Sequence, residues 1–304
     1  MSSWEGKSRG GPLGHRIFVW ILRHFNLSLA YFVLQFVAAY FLLFAFKPAS
    51  SLFSFYRQAL GFGRFQSLVM IYRNFFTFGQ VILDKVAVFS GFNNTLTHYS
   101  EGMEHIENLI ALDQGAMLVS SHLGGWSLAG HFLEENGPRP RLFMLDAEHD
   151  KIKEVIGQAE TKHQLDIVPI TKELTHVIEL AKSLRNKQFI AILGDRYLEG
   201  ARTLQLPFLG RKARFPLGPF DLAVRFKVPV SFVFTVKEDK TRYRCYASPP
   251  YGEKDLQGLK NRREKTEYLA SQYIKTLEQF VKQYPEQWFN YYDFWQSTEH
   301  GENH

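Results

Sequence analysis

"AMLVSSHLGGWSLAG", residues 116–130, changes character twice in fifteen positions. The first six residues are a short apolar run that ends in two serines, as a buried strand does. A histidine and two glycines follow, and from Trp126 the spacing turns helical. A strand that ends in His122 and turns through Gly124 and Gly125 into a helix is one βα unit of an α/β sheet. In such sheets the carboxyl ends of the strands carry the chemistry.

The same texture continues downstream. "RLFML", "DIVPI", "FIAIL", "RTLQLPF", "VSFVFTV" and "RYRCYA" read as further strands, rich in β-formers or continuously apolar. Helical patterns lie near residues 126–136, 149–164 and 172–186. Leu269, Tyr273, Leu277, Phe280, Val281 and Tyr284 recur at helical spacing, and Pro285 ends that helix. The chain has 304 residues, of which 45% are hydrophobic, enough for one large core. Residues 93–304 are therefore read as an α/β catalytic domain.

Upstream the sequence is different. Residues 1–24 form a polar, glycine-rich leader that becomes basic and apolar towards Arg16 and Arg23. "FNLSLAYFVLQFVAAYFLLFAF", residues 25–46, carries no charge and is long enough to cross a bilayer. It starts too late and runs too long for a cleavable signal, so it is expected to persist. Basic residues flank it on both sides, so they select no orientation. That symmetry favours a helix lying in one leaflet over a simple span, with a buried core helix as the bland alternative. Residues 25–92 are read as a hydrophobic, membrane-associated helical region.

Composition narrows the partners. The formal charge is +6, with 28 phenylalanines and 14 tyrosines. Basic and aromatic together point to anionic membrane surfaces or acidic partners. No helix-turn-helix pattern or zinc-finger spacing is present, so nucleic acid is not expected. Cys245, the single cysteine, excludes an internal disulfide and permits the cytoplasmic side of the membrane. His149, His163 and His176 show no metal-ligand spacing, and no cofactor is expected. His131, nine residues after His122, does not share a helical face with it.

His122, at a strand end, is placed to act as a general base, and the glycine turn offers amide donors for a developing oxyanion. A histidine hydrogen-bonded in a turn is the structural alternative. "SSHLGGWSLAG" resembles the first motif of the bacterial lipid A biosynthesis acyltransferases, relatives of the glycerolphosphate acyltransferases, in which a histidine is followed five positions later by Glu or Asp. "ILGDRYLEGARTLQLPFLGRKARFPLGPFDLA", residues 192–223, is similar to the family's acid-ended strand and the segment after it. "YPEQWFNYYDFW" resembles its closing P-E-Q-W signature. The three motifs occur in family order across most of the chain.

The resemblance implies a glycerolphosphate-acyltransferase-like central mixed sheet flanked by helices, with an N-terminal hydrophobic region on the membrane. It implies that His122 takes a proton from an acceptor hydroxyl or amine as that group attacks an acyl thioester. The donor would be acyl carrier protein or acyl-CoA and the acceptor a membrane lipid or glycolipid, at the bacterial inner membrane with the catalytic domain on the cytoplasmic side. Gly124, Gly125 and Trp126 would line the substrate site. Arg196 and Arg202, the latter in an "EGAR" block similar to a phosphate-binding E-G-T-R, would meet anionic groups; Arg196 pairing with Asp195 is the structural alternative. Arg211 and Arg214 of "GRKAR" would receive the carrier protein or headgroups, unless that run is a solvated turn.

One position departs from the family. Ser127 stands where its carboxylate is expected. Asp195, at the end of "FIAILGD", is the first choice for the missing acid because it ends a strand of the same sheet. Ser127 as an orienting group, or Ser127 as a nucleophile in a thioesterase or lipase, are the other two readings. An inactive lipid-binding protein is the third class left open.

Overall fold

The structure, a computed structural model, describes residues 12–92, 96–134, 140–145, 166–170, 175–198 and 200–295. Its strands are β1 (Thr97–Glu101), β2 (Met117–Ser120), β3 (Arg141–Leu145), β4 (Ile167–Ile170), β5 (Ile190–Leu193), β6 (Thr203–Phe208), β7 (Arg211–Pro216), β8 (Val230–Lys237) and β9 (Arg242–Ala247). Seven of them form one sheet in the order β1-β9-β8-β2-β5-β3-β4, and β6 and β7 form a separate hairpin. β9 runs antiparallel to β8 and parallel to β1. The other pairs are parallel, so the sheet is mixed, as expected.

β2 lies between β5 and β8 and is covered on both faces, which is why "AMLV" reads as continuously apolar. Met117 and Val119 face the main core with Ile190, Ile192, Phe232 and Phe234. That core is closed by α7 (Thr175–Arg185), α8 (Gly218–Phe226) and α9 (Arg262–Gln283), through Leu180, Phe220, Tyr273 and Leu277. Leu118 faces the other side with Phe189 and Val233, under α5 (Met103–Ala111) and α6 (Trp126–Glu134). The helix read near residues 149–164, with His149 and His163, lies outside the described residues.

Two elements escaped the sequence pattern. β1, "THYSE", is a mostly exposed edge strand without an apolar face to betray it. "GRKAR" is neither a solvated turn nor a loop but the start of β7. Leu209 and Gly210 carry positive φ at the hairpin tip, the geometry of a tight two-residue turn. Beyond it Ala213 and Phe215 point inward while Lys212 is exposed, an alternation hidden by adjacent cations.

The N-terminal third is helical: α1 (Pro12–His24), α2 (Leu27–Phe44), α3 (Phe46–Ser54), which continues as a π-helical turn, and α4 (Arg64–Phe89). Asn26 caps α2 by accepting from the Leu29 amide at 3.0 Å. Among the described residues α2 alone is long and apolar enough to cross a membrane. It runs antiparallel along α4. Phe41 meets Phe75 with ring centroids 6.1 Å apart, Leu34 closes over Gly79, and Tyr31 donates to Asp84.

Asp84, with Lys85 beside it, sits in the largely apolar stretch "VILDKVAVF" and is wholly buried. A buried carboxylate must be paired. Lys237 Nζ reaches it at 2.6 Å, and the Tyr31 and Tyr243 hydroxyls donate to its oxygens. Lys237 also donates to the Tyr31 oxygen at 3.1 Å. Burial pushes the Asp84 carboxyl up and the Lys237 ammonium down, against their mutual attraction. The cluster joins α2 and α4 to β8 and β9.

Removing one member of a buried ion pair strands the other, which costs about 3–5 kcal/mol. Lys237→Met is expected to lower the unfolding free energy by about that amount, and the double change Asp84→Asn with Lys237→Met to recover most of it. Urea denaturation of the wild type, the two single variants and the double variant measures both. Additive losses in the double variant would show that the pair is not the source of the effect.

Candidate active site

The register of the sheet brings two distant residues together. In the β2–β5 pair Ser120 is opposite Leu193. His122 and Asp195 each lie two residues further on, so both emerge at the same point of the sheet's carboxyl edge. The Gly194 amide donates to Ser120 O at 2.8 Å and carries the pairing past the strand ends. A side chain at Gly194 would press within 2.7 Å of Val119. The outcome is a buried pair in which His122 Nδ1 lies 2.8 Å from Asp195 Oδ1.

The turn after His122 is held at every step. Gly124 has φ +55°, and a Cβ there would collide with Thr235 O. A Cβ at Gly125 would lie 2.7 Å from the Tyr243 ring. Their amides are committed: Gly124 N–H donates to Gln287 O at 2.8 Å and Gly125 N–H to Thr235 O at 2.7 Å. The glycines are thus needed for close backbone packing and do not present the amide donors expected of them. Beyond them, the first turn of α6 begins at Trp126, whose ring meets the imidazole edge-on at 5.3 Å.

The P-E-Q-W segment, to which the sequence assigned no role, straps this turn down. Leu123 and Trp288 form an antiparallel bridge, and Phe289 N–H donates to His122 O at 2.9 Å. Gln287 clamps Lys237 of β8 by accepting from its amide at 2.8 Å and donating to its carbonyl at 2.6 Å. Trp288 O accepts from Asn74 of α4 at 3.1 Å. Its indole N–H points at Asp195 Oδ2 at 3.4 Å, beside the His122 amide, which donates to the same oxygen at 2.9 Å.

Asp195 is thereby anchored through Oδ2 and presents Oδ1 to the imidazole. Burial pushes its pKa up, but the His122 charge, the hydrogen bonds from His122 and the Arg196 charge outweigh this and hold it below the ordinary carboxylate range. An ionised carboxylate at Nδ1 fixes the proton on that nitrogen and leaves the lone pair on Nε2, by assignment from the hydrogen bond.

Among the described residues no hydrogen bond joins Ser127 to His122. Ser127 instead lines a cavity of about 50 Å³ between α6 and the sheet, with Trp126, Leu118, Leu142, Met144 and Ala191. Lys85 and Ser120 also line it, and the Ser120 hydroxyl is buried without a hydrogen-bond partner among the described residues. Sequence reasoning passed over both. The charge in the middle of α4 was the available signal for Lys85.

The cations are spread more widely than expected. Arg196 donates to Phe289 O at 2.8 Å and braces the strap. Arg211 donates to Gln58 at 3.0 Å and lies 5.1 Å over the Trp295 ring. Arg214 is on β7 opposite Gln205, and Arg202 is exposed just before β6. No group of three or more metal-ligating side chains occurs among the described residues.

The family model of the bacterial lipid A biosynthesis acyltransferases matches residues 15–297, and the chain belongs to that family. The phosphatidylinositol mannoside acyltransferase of Mycobacterium tuberculosis is 29% identical over 128 residues, 40% of this chain and 39% of that protein. The enzyme of the same name from Mycolicibacterium smegmatis is 29% identical over 127 residues, 40% of each chain. The chain thus matches about two-fifths of the length of these curated relatives. Among solved structures, the 1-acyl-sn-glycerophosphate acyltransferase of Thermotoga maritima superposes with a TM-score of 0.41 and 15% identity, over 84% of this chain and 98% of that one.

Because the folded pKa of Asp195 lies below its unfolded value of about 3.9, its ionised form contributes stability that is full above about pH 4 and is lost as pH falls through the folded value. Asp195→Asn removes that contribution. The gap between wild-type and variant urea midpoints is expected to be wide near about pH 6 and to narrow towards about pH 3. A gap independent of pH would mean that the carboxylate's charge is not what is stabilised.

Proposed function

We propose that the chain is a membrane-associated acyltransferase that moves a fatty acyl group from a thioester to a lipid acceptor. The observation that carries this reading is the buried His122–Asp195 pair, 2.8 Å apart at the sheet's carboxyl edge. His122 Nε2 accepts the proton of an acceptor hydroxyl as its oxygen attacks the thioester carbonyl. Asp195 holds the ring and balances the imidazolium that results. The tetrahedral intermediate collapses with loss of the thiolate, which takes the proton back from His122. The Trp126 and Ser127 amides at the start of α6 are the donors we assign to the oxyanion, since those of Gly124, Gly125 and Leu128 are already engaged.

Family membership and the named relatives support this chemistry and an acceptor with sugar or glycerol hydroxyls. Acyl carrier protein is the donor we favour because its acidic surface suits a chain of charge +6. Arg202 and Arg214 are the cations we assign to the donor or to an anionic headgroup. The cavity under α6 takes part of the alkyl chain, its wall being apolar apart from Lys85, Ser120 and Ser127. A neutral Ser127 suits that wall. The setting we infer is the cytoplasmic face of a bacterial inner membrane.

Purified protein given labelled acyl carrier protein and membrane lipid extract should yield a new acylated lipid, identified by mass spectrometry. His122→Ala and Asp195→Asn are expected to lose about 10²-fold or more, the usual worth of general-base catalysis, and Ser127→Ala to retain most activity. Free fatty acid as the only product, abolished by Ser127→Ala, would turn the reading to a hydrolase. Ala191→Phe, which fills the cavity floor, is expected to shift the product profile towards shorter acyl chains. An unchanged profile would place the chain elsewhere.

A further inference from the structure

We propose that α1, α2 and the first half of α4 form a platform seated in one leaflet of an anionic bilayer, with α2 lying in the membrane plane. This gives a geometry to the membrane association in the proposed function and rests on that reading. The outer face of α2 is an aromatic stripe: Phe32, Phe36 and Tyr40 recur at helical spacing, and Phe36 is 64% exposed. Trp20 of α1 extends it at one end. Phe46, 73% exposed, and Phe65, 80% exposed, extend it at the other. So much exposed aromatic surface in a row marks an interaction face.

Three observations favour a leaflet over a span. The opposite face of α2 is keyed to α4 along its length, through Tyr31, Leu34 and Phe41. α4 is keyed in turn to the catalytic sheet, by Asn74 to Trp288 O and by Asp84 to Lys237. A crossing α2 would draw those buried polar groups and their sheet into hydrocarbon. Gln35, at the midpoint of α2, is exposed at the edge of the stripe, where an in-plane helix lets its amide reach the headgroups and a span would place it at the bilayer centre. At 18 residues, about 27 Å, α2 is also at the lower limit of what spans a hydrocarbon core of roughly 30 Å.

The charge pattern names the lipid. α2 carries no charge, and exposed Arg16, Arg23, Lys47 and Arg64 lie around both ends of the stripe. Apolar side chains that enter the acyl region inside a ring of cations fit an anionic headgroup layer. Because the Asp84 cluster fixes α2 and α4 to β8, the depth of the stripe also sets the height of His122 above the leaflet.

The test uses the full chain with Cys245→Ser as background and single cysteines at His24→Cys and Lys47→Cys, flanking α2. Vesicles of equal parts phosphatidylcholine and phosphatidylglycerol carry the protein, and a membrane-impermeant maleimide labels it from outside. Equal labelling at both positions before detergent is expected, and protection of one of them until detergent is added would overturn the in-plane geometry. Phe36→Asp is expected to weaken vesicle binding about tenfold or more, with helix content unchanged by circular dichroism and turnover retained on detergent-dispersed substrate. Undiminished vesicle binding by this variant, or equal wild-type binding to pure phosphatidylcholine, would count against the stripe or the anionic leaflet respectively. Vesicle binding without any acylated product would defeat the transferase reading and leave the platform standing.

Discussion

The pairing of β2 with β5 is the constraint on which the site depends. His122 and Asp195 are 73 positions apart, and nothing local holds them together. What does is the hydrogen-bonded register of two short parallel strands, each extended by two residues beyond its last ladder bond. A slip of one residue would turn one of the two side chains to the opposite face of the sheet. The continuous apolar runs "AMLV" and "FIAIL" therefore serve the chemistry, because burial on both faces is what pins the register. Gly194 belongs to the same device, since only a residue without a side chain lets β5 run on beside Val119.

A second frame surrounds the pair. β8 holds the glycine turn through Thr235 O, and its Lys237 is clamped by Gln287 on the main chain and by Asp84 on the side chain. The residues that shape the His122 turn are thus tied within two positions of β8 to the helices that carry the aromatic face. Such a junction could be apolar and more stable. An ion pair capped by two tyrosines instead accepts one geometry, because any sliding of α4 along the sheet leaves a charge unpaired in the interior. Directional contacts of this kind suit a site whose height above a surface matters.

Much of this was legible in the sequence, and the limits have physical causes. The α/β sheet could be read because its central strands are apolar on both faces, and β1 could not because an exposed edge strand has no such signature. Asp195 could be inferred from strand-end logic alone. The strap could not: "PEQWF" has no period, and its work is done largely by main-chain atoms and by a glutamine that binds another residue's backbone. The hairpin was hidden because Arg211 and Lys212 open β7 with two charges in succession, one lying against Trp295 and the other in solvent. The charged pair inside α4 did carry a signal, since a buried acid in an apolar helix demands a partner, but only the fold could name Lys237.

In the proposed mechanism the departure at position 127 follows from the place of Asp195. A carboxylate in the first turn of α6 and a carboxylate at the end of β5 would compete for one imidazole nitrogen, and two buried acids beside one histidine repel each other. Asp195 already receives the His122 amide and ring nitrogen and faces the Trp288 indole, so it has the donors that an ionised buried carboxylate requires. With that role assigned to Asp195, position 127 is released to line the cavity wall. A small hydroxyl there adds no further charge to the wall between Trp126 and Gly130. In the proposed mechanism Ser127 is then a residue that a strand-end acid permits.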